Sequence, residues 1–272
     1  MNKSKINLFQ VRSFDRSMNV SIEFLKQNIL NIFKIILVLI PFLLISTFLM
    51  SKFQGSIFEL QGIDLLYYFV AYIATMIIVQ IASIIIIAYM VVYSQSDDGK
   101  VDPSLVWEKV KNSVLPLTGG FFLYYIAIVF GMFLLIIPGI IISVRWIFFS
   151  YVYIAEGKSL SGSFSRSSQL VKNNWWRIFG FFLVIYIVAM IIGSLLSLPF
   201  ALPVALAPYT GSDIASNTTF MAISSFFSSI ANLIVQPIIY VAIGIMYYSR
   251  RTDVDKTDLG EQIELLGTPD IQ

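Results

Sequence analysis

Apolar residues occur along this chain in runs long enough to cross a lipid bilayer as α-helices. A helix needs about 20 residues to cross the hydrocarbon core, and such runs occupy residues 29–50, 65–93, 178–198 and 220–248. A longer apolar stretch covers residues 115–156 and contains the helix-ending pair Pro138 and Gly139. It predicts two spans with Pro138 and Gly139 as the hinge between them; one kinked helix is the alternative.

The resulting prediction is an all-α, polytopic membrane protein with about six transmembrane helices. Residues 1–28 are charged with apolar side chains at helical spacing, which predicts an amphipathic segment lying at the membrane interface. Residues 29–249 form the six-span domain, and residues 250–272 form an acidic, water-facing tail. Three prolines in residues 198–217 predict an irregular link on or within the membrane surface.

The chain also shows a weak internal repeat. Residues 24–28 (FLKQN) resemble residues 170–174 (LVKNN), and a fainter copy lies near residue 108. The repeat predicts three units, each an interfacial amphipathic helix followed by a transmembrane hairpin. The alternative is that amphipathic helices entering a membrane resemble one another without common origin.

Composition narrows the chemistry further. Hydrophobic residues make up 57% of the chain and charged residues 12%, so a separate soluble domain is not expected. Cysteine and histidine are absent, which excludes disulfides, thiolate nucleophiles, Cys/His zinc sites and imidazole catalysis. The sequence also lacks a phosphate-binding loop of the G-x-x-x-x-G-K-[ST] type. We therefore predict no cofactor and no enzymatic activity.

Basic residues predict the orientation, because lysine and arginine near span ends are retained in the cytoplasm. All 18 basic residues except Lys52 and Arg145 fall in the N-terminal segment through Lys34, in two of the links, or in the C-terminal tail. Both termini are therefore predicted to be cytoplasmic. Reporters fused near Gly55 or Gly211 should report the outer side.

Part of the chain resembles a bacterial membrane family. The matching segments are residues 136–146 (IIPGIIISVRW), 156–160 (EGKSL) and 175–177 (WWR). They resemble the membrane domain that is fused to some glycerophosphodiester phosphodiesterases and that also occurs alone in inner-membrane proteins. The resemblance implies the bacterial cytoplasmic membrane as the location. It implies no phosphodiesterase activity, because the catalytic domain is not present in this sequence.

Arg145 is the most unusual residue, because an arginine at the centre of a span costs roughly 2.5–3.5 kcal/mol. No acidic residue lies within a predicted span to compensate it. Three compensating groups remain open: carbonyls freed near Pro138, the amides of Gln80, Asn232 or Gln236, or an external anion such as a lipid phosphate. Structural pairing or snorkelling and anion binding are both retained as hypotheses.

Span six carries a polar stripe in which neighbouring members are four residues apart. Such a stripe faces protein or water rather than lipid, so it serves either helix packing or a solute path. The stripe consists of Ser224, Ser228, Asn232 and Gln236.

Trp175, Trp176 and Arg177 are predicted to be interfacial anchors, because tryptophan favours the headgroup level. The nearby basic residues lie at a membrane edge, so we expect membrane lipids as partners, with other membrane proteins as further candidates, and no nucleic acid. The predicted function is a non-catalytic membrane component that organises partner proteins or lipids. The alternative is a transporter or lipid-handling protein with an anion-binding site around Arg145.

Overall fold

The computed structural model describes residues 5–51 and 61–267, and it contains no β-strand in those ranges. Six helical segments are long and apolar enough to cross a membrane, which confirms the predicted all-α, six-span fold. The predicted reporter position at Gly55 lies outside the described residues. The α-helices, in chain order, are α1 (Phe14–Ile36), α2 (Ile40–Ser51), α3 (Ile63–Gln95), α4 (Pro103–Leu134), α5 (Ile136–Arg145), α6 (Phe149–Glu156), α7 (Leu160–Val171), α8 (Trp175–Thr210) and α9 (Thr218–Gly267).

The first helix crosses the predicted boundary at residue 28 without a break. Helix α1 runs to Ile36, and a short 3-10 helix at Leu37–Leu39 joins it to α2. The irregularity falls before Pro41 because proline lacks the N–H that would bond to the carbonyl of Leu37. The amphipathic segment and span one are therefore parts of one nearly continuous helix.

The predicted hairpin of spans three and four is present, but the chain reverses at Leu135 rather than at Pro138 and Gly139. Leu135 is extended, with φ −162° and ψ 141°, between α4 and α5. Pro138 lies in the first turn of α5, where backbone N–H groups have no partner within the helix, so its missing N–H costs no hydrogen bond. A Cβ on Gly139 would lie 2.8 Å from the backbone nitrogen of Met132, so this glycine allows α4 and α5 to approach closely.

The fourth span is itself broken. Helix α5 ends at Arg145, and α6 begins at Phe149 after a turn. Helix α7 packs against this break through Ser167, whose hydroxyl donates to the Arg145 carbonyl at 2.9 Å and accepts from the Phe148 N–H at 3.1 Å. Two backbone groups at the break thus gain hydrogen-bond partners from an amphipathic helix.

The C-terminal third is more helical than predicted. Helix α8 continues through Pro199, Pro203 and Pro208 to Thr210, where an irregular link was predicted. Helix α9 passes Arg250 without a break. In an apolar setting the helix satisfies most backbone groups internally, and neighbouring groups can bond the carbonyls that proline leaves free. The tail begins as packed structure, since the Arg250 side chain is buried.

Contacts divide the chain into two compact units. Unit 1 comprises residues 1–27, 87–183 and 241–272, and unit 2 comprises residues 28–86 and 184–240. Unit 1 has an aromatic core in which Phe149 stacks on Phe164 at 4.6 Å and Tyr151 stacks on Tyr247 at 5.4 Å. All three predicted amphipathic segments are helical, but only α7 is a separate helix, so the threefold repeat stays a prediction.

Candidate functional site

A buried amide of unit 2, that of Gln236, joins helices α3 and α9. The Gln236 side-chain oxygen accepts from the Ser83 hydroxyl at 3.0 Å, and its nitrogen donates to the Val79 carbonyl at 3.1 Å. Gln80 is also buried, and its side-chain nitrogen has no partner among the described residues. Gln236 therefore acts in helix packing.

The other members of the span-six stripe have different surroundings. The Ser224 hydroxyl donates to the Phe200 carbonyl at 3.2 Å, which links α9 to α8. Asn232 is exposed and donates to the Ser228 carbonyl at 3.0 Å within its own helix. Ser228 and Asn232 line a cleft of about 290 Å³ with residues of α8. The stripe thus combines packing contacts with an open polar cleft, and the solute-path hypothesis stays a prediction.

A network of charges in unit 1 fastens α7 to α6 and α9. Glu156 lies 3.3 Å from the Arg166 Nε atom and 3.8 Å from the Arg251 Nε atom, and it accepts from the Tyr247 hydroxyl at 2.9 Å. Asp255 pairs with both arginines. These partners give Glu156 a structural role.

The N-terminal segment is held in unit 1 by Arg12. Its buried guanidinium donates to the carbonyls of Leu8 at 2.9 Å and Gln10 at 3.0 Å, and its backbone N–H donates to the Ser249 hydroxyl at 2.9 Å. Burial lowers the pKa of Arg12 from its ordinary value, and the charge of Arg16 lowers it further.

Arg145 lies at the edge of a cleft of about 450 Å³ in unit 1. It is the last residue of α5, where a cation is favoured by the helix dipole, and its side chain is exposed. Its guanidinium has no hydrogen bond or ion pair to the residues that the structure describes. Gln80, Asn232 and Gln236, the predicted amide partners, belong to unit 2, and none of them lines this cleft.

The remaining walls of the cleft come from α7 and the start of α8. They are Ser165, Ser168, Gln169, Val171, Lys172 and Trp175. Lys172 is exposed, like Arg145, and no acidic residue lines the cleft. Two cations and several neutral polar groups therefore face one opening, an arrangement that suits an anion.

The predicted interfacial anchors have three different environments. Trp176 is 78% exposed, as an anchor in the headgroup region requires. Trp175 stacks on Phe179 at 5.1 Å, and its buried Nε1 atom has no hydrogen-bond partner among the described residues. Arg177 donates to the Arg12 carbonyl and so holds the N-terminal segment.

Sequence reasoning identified Arg145 but missed its companions on α7. Ser165, Gln169 and Lys172 follow helical spacing and share one face of the segment that begins before Trp175. That spacing could have predicted a shared polar face. Their proximity to Arg145 could not be predicted from spacing, because it depends on the break in the fourth span.

Comparison with protein families gives one match. Residues 64–249, well over half of the chain, match a domain of unknown function, DUF7847. No curated protein and no solved structure matches. The resemblance to the membrane domain of glycerophosphodiester phosphodiesterases stays a prediction. The described residues contain no group of three or more acidic side chains arranged to hold a metal ion.

Proposed function

Because the chain belongs to the DUF7847 family, whose function is unknown, we propose its role from its own residues: a non-catalytic component of the bacterial cytoplasmic membrane. In this role it organises lipids or partner proteins at the cytoplasmic face, and both of its termini are cytoplasmic. The observation that carries the proposal is the concentration of lysine and arginine in unit 1.

Unit 1 contains all 18 basic residues of the chain except Lys34 and Lys52. Lysine and arginine near span ends are retained on the cytoplasmic side, and anionic lipids attract them to the membrane surface. This supports a cytoplasmic position for the basic segments of unit 1, including both terminal segments, while spans three and four of the same unit cross the membrane.

The polar groups of unit 1 support a non-catalytic role. Glu156, Asp253 and Asp255 are paired with arginines, and Arg12 and Arg177 bond to backbone carbonyls. A general acid or base needs access to a substrate proton, and these pairings favour a structural role for the carboxylates. What stays open to ligands is a cationic surface at α7 and the start of α8.

The experiment is extraction of the protein in native lipid with a membrane-solubilising polymer. Retained lipids and proteins are then identified against an unrelated six-span protein prepared in the same way. We expect enrichment of anionic lipids or of a defined partner protein. A particle with the same lipids and proteins as the control would contradict the proposal.

A second candidate function is lipid handling or transport, which the open cleft at Arg145 favours. Reconstitution in vesicles with fluorescent lipid in one leaflet distinguishes the two. An organising protein leaves the leaflet distribution unchanged, whereas a lipid-handling protein accelerates its equilibration.

A further inference from the structure

We propose that the cleft formed by Arg145, Lys172 and Trp175 binds a phosphate group, supplied by the headgroup of an anionic membrane lipid. The inference rests on the proposed membrane-organising role and names the ligand that this role requires. It follows from the donors in the cleft, the charges around it and the helix end beside it.

Several hydrogen-bond donors of the cleft have no partner among the described residues. These are the Arg145 guanidinium, the Lys172 ammonium, the Ser165 hydroxyl and the Gln169 amide. Ser168 differs, because its hydroxyl already donates to the Phe164 carbonyl at 2.9 Å.

Arg145 and Lys172 differ from the neighbouring arginines in having no carboxylate partner among the described residues. The neighbouring arginines have their own carboxylates: Arg166 pairs with Glu156 and Asp255, and Arg250 pairs with Asp253. An external anion would balance the charges of Arg145 and Lys172 where an internal carboxylate does not.

The N-terminal end of helix α8 adds a positive electrostatic field that favours an anion. The helix begins at Trp175, in the wall of the cleft, and it is 36 residues long. The first turn of a helix presents free N–H groups and the positive end of the dipole. Phosphate groups commonly bind at such positions, and here the helix end adds to two cationic side chains.

The chemistry of the donors favours phosphate over a carboxylate. Arginine binds phosphate oxygens in a bidentate manner, lysine acts as a point charge, and neutral donors take the remaining oxygens. A volume of about 450 Å³ is large enough for a headgroup. Val171 and the Trp175 ring give the cleft an apolar wall, which suits the glycerol and upper acyl chain of a lipid.

The test compares wild-type protein with Arg145→Gln/Lys172→Gln in lipid nanodiscs and by native mass spectrometry. The matched control is Arg16→Gln/Lys111→Gln, which removes the same charges from exposed positions of unit 1 outside the cleft. Losing these charge-assisted bonds should weaken phosphatidylglycerol binding at least about tenfold. The control variant should bind like the wild type. Equal loss in both variants would overturn the proposal.

Ser165→Ala removes one neutral donor from the cleft at an exposed position, so it tests the site with little change in packing. We expect weaker phosphatidylglycerol binding and an unchanged thermal midpoint. Unchanged binding would remove Ser165 from the site, and with it the proposed geometry.

A competition with inorganic phosphate separates the two sources of the ligand. No displacement of phosphatidylglycerol at millimolar phosphate supports a lipid headgroup, whereas full displacement assigns the site to free phosphate. If wild-type particles retain no specific lipid or protein, the proposed function fails. If they retain lipid that the double variant also retains, only the assignment of this cleft fails.

Discussion

Glu156 of α6 and Arg166 of α7 form an ion pair, with 3.3 Å between the Glu156 Oε2 and Arg166 Nε atoms. Only 9% of the Glu156 side chain and 13% of the Arg166 side chain are exposed, so solvent screens the pair weakly. Arg251 and Asp255 extend the pair to α9. The amphipathic helix is thereby fixed over the break in the fourth span.

Glu156→Gln should destabilise unit 1. Arg166 and Arg251 would lose one carboxylate but keep Asp255, so we expect a loss of roughly 1–3 kcal/mol rather than the larger cost of a fully unpaired buried charge. Thermal unfolding in detergent measures the change. Glu108→Gln, at an exposed position of α4, serves as the control and should leave the midpoint unchanged. An equal midpoint for both variants would show that the pair contributes nothing measurable.

Gly139→Ala should disrupt the packing of α4 against α5. The added methyl would lie 2.8 Å from the Met132 nitrogen and 3.0 Å from the Ile128 carbonyl oxygen, both of them backbone atoms. Overpacking of this kind costs about 1–3 kcal/mol.

Gly119→Ala is the matched control for this glycine. A Cβ at Gly119 meets nothing within 4 Å, so the substitution should stabilise α4 by up to about 1 kcal/mol through helix propensity. Thermal midpoints that move in the same direction for both alanine variants would contradict the close approach at Gly139.

Gln236→Ala should weaken the contact between α3 and α9. It removes two hydrogen bonds, although the Ser83 hydroxyl can still donate to the Val79 carbonyl at 3.2 Å. Hydrogen bonds between membrane helices contribute about 0.6 kcal/mol on average, so we expect a loss of roughly 1 kcal/mol. Asn232→Ala is the comparison, since Asn232 bonds only to its own helix. The idea fails if Asn232→Ala is the more damaging of the two.

Asp102 gives the start of α4 a defined pH dependence. Its carboxylate accepts from the Ser104 backbone N–H at 2.8 Å, and this bond lowers the pKa of Asp102 below its ordinary value of 3.8. A lowered folded-state pKa means that the stabilisation is complete above the unfolded value and is lost as pH falls through the folded value.

The measurement is the thermal midpoint from pH 6 down to pH 3 for wild type and Asp102→Asn. Asparagine also caps helices but does not titrate, so the wild type should lose more stability than the variant at the acidic end. Parallel curves would rule out a contribution from the Asp102 charge.

Much of the fold was predictable because hydrophobic length determines a membrane span. The five apolar runs, one of them long enough for two spans, correspond to six helical segments, but their ends and the break in the fourth span were not predicted. The amphipathic helix predicted near residue 108 is not separate from span three, because both belong to α4, which begins at Pro103. A change from an amphipathic to a uniformly apolar pattern shows where a helix passes from the interface into the membrane, not where the helix ends.

The site was predictable only in part, because it depends on irregular geometry. Arg145 was visible as a charge in an apolar run, but the break that exposes it lies between α5 and α6 and contains neither proline nor glycine. Pro138 was taken for the hinge, whereas prolines in the first turn of a helix are well tolerated. The pairing of Glu156 with Arg251 joins residues too distant in sequence for any spacing rule.

The most direct test of a cytoplasmic position for the basic segments of unit 1 uses single cysteines, which are unambiguous because the chain has none of its own. Ser159→Cys lies in the link before α7, and Ser212→Cys lies in the link after α8. In intact cells, a membrane-impermeant maleimide should label Cys at position 212 and should label position 159 only after the membrane is opened. Labelling of position 159 in intact cells, with protection of position 212, would contradict the proposed orientation and the role built on it.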